Sequence, residues 1–174
     1  IPTERRNSLR VIKRSAEHLS GLIDGLLDIS RIEAGRFQIR MSEVRANDFF
    51  DQIEGMFRLQ ADAKGLAFQH ERSPALPAIV RTDEKRLRQI LVNLLSNAIK
   101  FTTTGTVTFT VDYRNQVATM TVTDTGPGIA EADQARVFQP FERGGDAAAT
   151  PGLGLGLTIT RLLVETLGGA ISLA

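Results

Sequence analysis

The chain has no cysteine, only two histidines, almost no net charge and no long apolar run. Without cysteine, disulfides and thiolate metal sites are excluded, which fits a reducing cytoplasm. With His18 and His70 alone, a multi-histidine metal site is implausible. A formal charge of +1 gives no reason to expect nucleic acid as a partner. No segment approaches the roughly 20 apolar residues that a membrane helix needs, so no membrane contact is expected from this chain. The start, Ile1-Pro2-Thr3-Glu4-Arg5-Arg6, is polar, carries no signal-peptide pattern and reads as a cut from something longer. A length of 174 residues allows one good core and an appendage.

Residues from about Glu4 to Ala34 read as one long helix. Leu9, Ile12, Ala16, Leu19, Ile23 and Leu26 alternate spacings of three and four, the seam of a helical bundle. Leu22 and Ile29 widen the stripe beyond a two-helix seam, and Gly35 is a plausible C-terminal stop. Phe37, Ile39 and Met41 alternate like a strand. Asn47 can cap a helix that buries Phe50, Ile53, Phe57 and Ala61 and ends at Gly65. A short strand is expected near Ala67 to Glu71, then a connection through Pro74 and Pro77. Asp83 is a good N-cap for a helix from about Glu84 to Lys100. Gly105 to Tyr113 and Val117 to Asp124 read as a hairpin around Arg114-Asn115-Gln116. A short helix near Glu131 to Val137 precedes a Gly/Ala-rich stretch from Glu142 to Pro151. The last helix spans about Leu155 to Leu167, and a strand begins at Ala170 to Leu173.

Four blocks follow in fixed order: Asn93-Leu94-Leu95-Ser96-Asn97-Ala98, Asp124-Thr125-Gly126-Pro127-Gly128-Ile129, Phe138-Gln139-Pro140-Phe141-Glu142-Arg143 and Gly152-Leu153-Gly154-Leu155-Gly156-Leu157. Asn93, Asn97 and Lys100 share one helical face. An asparagine oxygen suits Mg²⁺, which prefers oxygen ligands and borrows others from phosphates and water. Two mid-helix asparagines flanked by leucines need a better reason than solvent exposure. Asp124 can accept a hydrogen bond from an amino group, and Gly126 and Gly128 let the backbone turn tightly, although a plain Asp-Thr-Gly turn has the same wording. Gly152, Gly154 and Gly156 lead into a helix whose N–H groups and dipole can hold phosphate. No Lys-Ser/Thr follows the last glycine, and the alternate-glycine spacing is not that of a dinucleotide fingerprint. Leu155 and Leu157 read mainly as packing.

Order and wording together resemble the N, G1, F and G2 boxes of the histidine-kinase family in the GHKL ATP-binding superfamily. Leu26-Leu27-Asp28-Ile29-Ser30-Arg31-Ile32-Glu33-Ala34-Gly35 resembles the end of that family's second dimerisation helix. The resemblance implies an α/β fold, a two-layer sandwich of a mixed sheet with helices on one face, preceded by a long N-terminal helix. It divides the chain into 1–35, part of a dimerisation and phosphotransfer domain, and 36–174, an ATP-binding catalytic domain whose final strand should follow Ala174.

The resemblance also assigns roles. Asn97 becomes the main Mg²⁺ ligand with Asn93 as helper, while Lys100 and Arg143 contact phosphate and share the catalytic work with Asn93. Asp124 takes the adenine amino group. Phe101, Gly126, Gly128, Ile129, Phe141, Gly152, Leu153, Gly154, Leu155 and Gly156 complete the ATP site. Helix-end packing for Lys100, core packing for Phe138 and Phe141, and a solvated surface for Arg143 remain open readings. Asn93 stands where hydrolysing superfamily members carry a Glu, and an amide cannot serve as general base. That favours phosphoryl transfer over the alternatives, a GHKL-type ATPase or a non-catalytic nucleotide-sensing or dimerisation module. His18 falls on the outer face of its helix without acceptor-type neighbours, and His70 lies in a strand. No phospho-acceptor is therefore expected in this chain; the acceptor His should lie upstream. Implied partners are a second copy of the full-length protein, through the helical bundle, and a response-regulator receiver domain. The implied location is cytoplasmic, with any tether to the inner membrane lying outside this chain.

Overall fold

The computed structural model describes residue 23 and residues 25–32, 34–142 and 154–173. The expected helix from Glu4 therefore lies largely outside the described residues, as does His18. Its end is visible as α1 (25–32). The Arg36 N–H donates to Arg31 O and the Gly35 N–H to Ile32 O, the paired bonds of a Schellman stop. No described helix is long and apolar enough to cross a membrane.

The order that follows is β1 (Ser42–Arg45), α2 (Ala46–Lys64), β2 (Ala67–Arg72), β3 (Ile79–Thr82), α3 (Glu84–Phe101), β4 (Thr106–Arg114), β5 (Val117–Asp124), α4 (Glu131–Gln134) and α5 (Gly156–Thr166). β2, β4 and β5 form a mixed sheet in that spatial order, β2 parallel and β5 antiparallel to β4. β1 and β3 make a separate antiparallel pair with Val44 opposite Val80. The alternation of β4 buries Val107, Phe109 and Val111 beneath the helices. α2 brings Phe50, Ile53, Phe57 and Ala61 to that face, and α3 brings Leu91, Leu95, Ala98 and Ile99. The result is the expected α/β sandwich of a mixed sheet with helices.

Several local expectations need correction. Residues 37–41 form no strand. That segment is held by other means: the Arg86 guanidinium lies 4.6 Å from the Phe37 ring centroid, and the Arg40 N–H donates to Asp83 Oδ2. Asn47 is not a cap, because α2 already begins at Ala46 after an extended Arg45. β3 falls inside the stretch read as a Pro-containing connection. Ala170 to Leu173 pairs with no strand among the described residues. After α5 the chain turns back instead, with the Gly168 N–H on Glu165 O and the Gly169 N–H on Val164 O. The hairpin stands as expected, and its two turn residues, Asn115 and Gln116, both take positive φ, as a two-residue turn between twisted strands requires.

The His70 side chain in β2 is almost completely buried and stacks on Phe109 at 4.9 Å. Its Nδ1 lies 2.7 Å from Glu54 Oε2, and Arg58 donates to the other carboxylate oxygen at 2.6 Å. These hydrogen bonds, that from Arg58 first and that from His70 next, hold the Glu54 carboxyl below the ordinary range. The folded state then binds this proton less readily than the unfolded chain. The stabilisation is complete above the unfolded-state pKa and is lost as pH falls through the lower, folded one. Glu54→Gln should cost about 1.5–3 kcal/mol at pH 7, with the gap from wild type closing in acid. Urea unfolding of both proteins across that range checks this; a pH-independent gap contradicts it.

Candidate functional site

α3 organises the site because its two sides differ. One side carries Leu91, Leu95, Ala98 and Ile99 into the core, and the other presents half-buried Asn93, Asn97 and Lys100. Asp83 Oδ1 accepts the Arg86 N–H and fixes the start of the helix. Its far end is held by Lys64, whose Nζ donates to the carbonyls of Ile99, Lys100 and Thr102 at 2.6–2.8 Å. A cation on these terminal carbonyls also complements the helix dipole. The Lys100 ammonium lies 4.7 Å from the Phe101 ring centroid. Among the described residues the Asn97 amide has no hydrogen-bond partner.

The turn after β5 abuts that helix end. Asp124 Oδ1 accepts the Gly126 N–H at 2.8 Å and lies 3.3 Å from the hydroxyl of fully buried Thr102. No donor among the described residues reaches Asp124 Oδ2. A Cβ on Gly126 would come 2.6 Å from Asp124 Oδ1 and 3.3 Å from the Phe101 carbonyl, so a side chain there would push the Asp124 carboxylate aside. Gly128 takes a φ of +71°, and Ile129 is partly exposed beside it.

α5 closes the third side. Asn93 Nδ2 donates to Thr160 Oγ1 at 2.7 Å, and a Cβ on Gly156 would come 2.5 Å from Asn93 Oδ1. Glycine at 156 thus lets the two helices approach, and Asn93 braces them. Among the described residues, the first turn of α5 has no side-chain cap and buried Thr158 Oγ1 has no partner. Leu155 is core, as its packing assignment expects. Gly154 and Phe141 meet through the Phe141 N–H and the Gly154 carbonyl. Phe141 is 63% exposed with a φ of +64°, so it is no core residue, whereas Phe138 lies under the Arg161 guanidinium. Arg143, Gly152 and Leu153 lie outside the described residues.

Sequence patterns gave no signal for Lys64, Thr102 or Thr160, whose partners lie far along the chain. Nor did they reveal that Arg86 pairs with Asp28 of α1 at 2.7 Å, with both side chains largely buried. Gln89 Nε2 reaches the same carboxylate oxygen, tying α1 to the start of α3.

This arrangement suits a nucleotide and a divalent cation. A carboxylate oxygen open beside a glycine shelf can take an amino group on a flat base. An asparagine with no partner among the described residues can offer a hard oxygen to a cation, and the start of α5 can offer N–H groups to phosphate.

Comparison with known proteins bears on the nucleotide. Residues 82–174 match the family model described as histidine kinase-, DNA gyrase B- and HSP90-like ATPase. The chain is 38% identical to the autoinducer 2 sensor kinase/phosphatase LuxQ of Vibrio cholerae over 97% of its own length. It is 40% identical to the virulence sensor protein BvgS of Bordetella parapertussis over 95%. It spans only 20% of the former's length and 14% of the latter's. Among solved structures, full-length ShkA in complex with AMPPNP superposes with a TM-score of 0.80 at 33% identity, covering 98% of this chain and 35% of that one. The catalytic domain of histidine kinase ThkA gives 0.63 at 27% identity, covering 73% and 82%.

The two asparagines should separate in a stability test. Asn93→Ala leaves the buried Thr160 hydroxyl without its donor and should cost about 1–3 kcal/mol. Asn97→Ala removes no hydrogen bond within the described residues and should stay within about 0.5 kcal/mol of wild type. Equal losses in denaturant titrations would contradict this division.

Proposed function

The chain belongs to the family of histidine kinase-, DNA gyrase B- and HSP90-like ATPases, and on that premise we propose that it is the ATP-binding catalytic part of a two-component sensor histidine kinase. It passes the γ-phosphoryl group of ATP to a histidine on a helix outside these 174 residues, for relay to a response-regulator aspartate. The observation that carries the reading is the meeting of three features: the polar edge of α3, the Asp124 turn and the uncapped start of α5. Residues 1–35 then form the second helix of a dimerisation domain and 36–174 the ATP-binding domain. The Schellman stop at Gly35 supports that boundary.

Each residue has a positional task. Asp124 accepts the adenine amino group through Oδ2, while Gly126, Gly128 and Ile129 form the shelf under the base. Asn97 supplies an oxygen to Mg²⁺. Bound there, Mg²⁺ neutralises phosphate charge and orients the phosphates. Asn93 holds α5 against α3 and leaves Oδ1 to assist. Lys100 and Arg143 answer the remaining negative charge, and Gly152, Leu153, Gly154, Leu155 and Gly156 bring backbone N–H groups to phosphate. Phe101 and Phe141 flank the base and phosphate ends. Positioning and charge neutralisation supply most of the catalysis in such transfers.

Hydrolysis would need a base to activate water at the position of Asn93. An amide lacks the basicity, and its Nδ2 is committed to Thr160. The partners of the whole protein are a second copy, joined through the helical bundle, and a receiver domain; the setting is the cytoplasm.

Asn97→Ala should weaken ATP about tenfold or more in Mg²⁺ and change little in EDTA. Calorimetry of both proteins in both buffers decides it. Equal weakening in the two buffers would make Asn97 a structural residue.

A further inference from the structure

Thr102 is the only fully buried residue at the C-terminal end of α3 that carries a polar side chain. A buried hydroxyl is costly unless it is satisfied, so its partners show what it does. Its Oγ1 lies 2.8 Å from the Ala98 carbonyl and 3.3 Å from Asp124 Oδ1. The Ala98 carbonyl already receives the Thr102 N–H at 3.0 Å, so helix capping does not require the hydroxyl. The hydroxyl has one proton to share: the Ala98 carbonyl is the nearer acceptor and the carboxylate oxygen the charged one. Thr102 itself is pinned from behind, because its carbonyl accepts Lys64 Nζ at 2.7 Å.

Among the described residues, the donors near Asp124 address one oxygen. Gly126 N–H and the Thr102 hydroxyl both approach Oδ1, and none among the described residues approaches Oδ2. The Gly126 bond to Oδ1 restricts the rotation of the carboxylate about its last bond, helped by the Thr102 hydroxyl, whose one proton is shared between that oxygen at 3.3 Å and the Ala98 carbonyl at 2.8 Å. The other oxygen is then held ready as a directed acceptor instead of sampling several orientations. A preorganised acceptor gains selectivity because a ligand without a matching donor leaves it desolvated and unpaired.

We propose that Thr102 is a positioning residue for Asp124, and that it sets the preference for a purine with an amino group at C6 over one with an oxygen there. This rests on the assignment of Asp124 to the adenine amino group.

The test uses the 174-residue chain and calorimetric affinities for ATP and for inosine triphosphate, which replaces the amino group with a carbonyl. Wild type should prefer ATP. Thr102→Val keeps the side-chain shape and should weaken ATP about fivefold to twentyfold, leave inosine triphosphate nearly unchanged, and so contract the ratio. Thr102→Ser should restore the ratio, which a purely structural defect would not permit. In an Asp124→Ala background, Thr102→Val should cause no further loss of ATP affinity. Equal weakening of both nucleotides would overturn the proposal and leave Thr102 a packing residue. So would an unchanged ratio in folded Thr102→Val, or a ratio that Ser does not restore. If wild type and Asp124→Ala bind ATP equally, the adenine assignment itself fails and the proposal falls with it. That outcome differs from an intact Asp124 effect with no Thr102 effect, which sinks the positioning role alone.

Discussion

The C-terminal end of α3 is the point on which the arrangement depends. Three carbonyls there converge on one ammonium, that of Lys64 at the end of α2. A helix end leaves such carbonyls unsatisfied, and this one cannot use an ordinary glycine stop because Thr102 continues in extended conformation. The lysine solves that problem from outside the helix. Its gain as a surface charge at a helix terminus is modest, about 0.3–1 kcal/mol, but its geometric effect is larger. It fixes the backbone from Ile99 to Thr102, and the Phe101 carbonyl and Thr102 hydroxyl from that stretch form one wall of the Asp124 turn.

From that fixed end, α3 runs as a ruler through the site. Its apolar side is locked by Leu91 and Leu95 against α2 and the sheet, so its polar side has little freedom to rotate. Asn93 meets α5, and Asn97 and Lys100 follow one and two turns further along the same side. At the opposite end, Asp28 and Arg86 join α1 to the same helix through a buried ion pair. Removing one member of such a pair is costly because the other is left as an uncompensated buried charge. A single rigid element thus connects the helix proposed for dimerisation with the proposed nucleotide site.

Much of this was legible because the pattern and the end signals agreed. α3 combined an apolar stripe with Asp83 at its cap, and α2 combined Phe50, Ile53 and Phe57 with Gly65 at its stop. The hairpin was marked by alternation on both strands, even though its turn, Asn115-Gln116, carries no glycine. β3 was hidden because four residues are too few for alternation to stand out beside Pro74 and Pro77. Phe37, Ile39 and Met41 showed alternation without a ladder partner, and alternation alone does not make a strand. In the site, glycine and asparagine blocks announced themselves by wording. The bracing of Asn93 by Thr160 and the capture of Thr102 by Lys64 did not, since their partners lie 67 and 38 residues apart. No local pattern encodes such pairs.

On the proposed function, this chain holds ATP for transfer to a histidine that lies outside it. The direct measurement is incubation of γ-labelled ATP with the 174-residue chain alone, and with a longer chain that also carries the upstream helix. Acid-labile label is expected on a histidine of the added helix and none on the shorter chain, with little phosphate released to water. Stoichiometric acid-labile label on the 174-residue chain, abolished by His18→Gln, would contradict it, as would rapid steady release of phosphate by that chain alone.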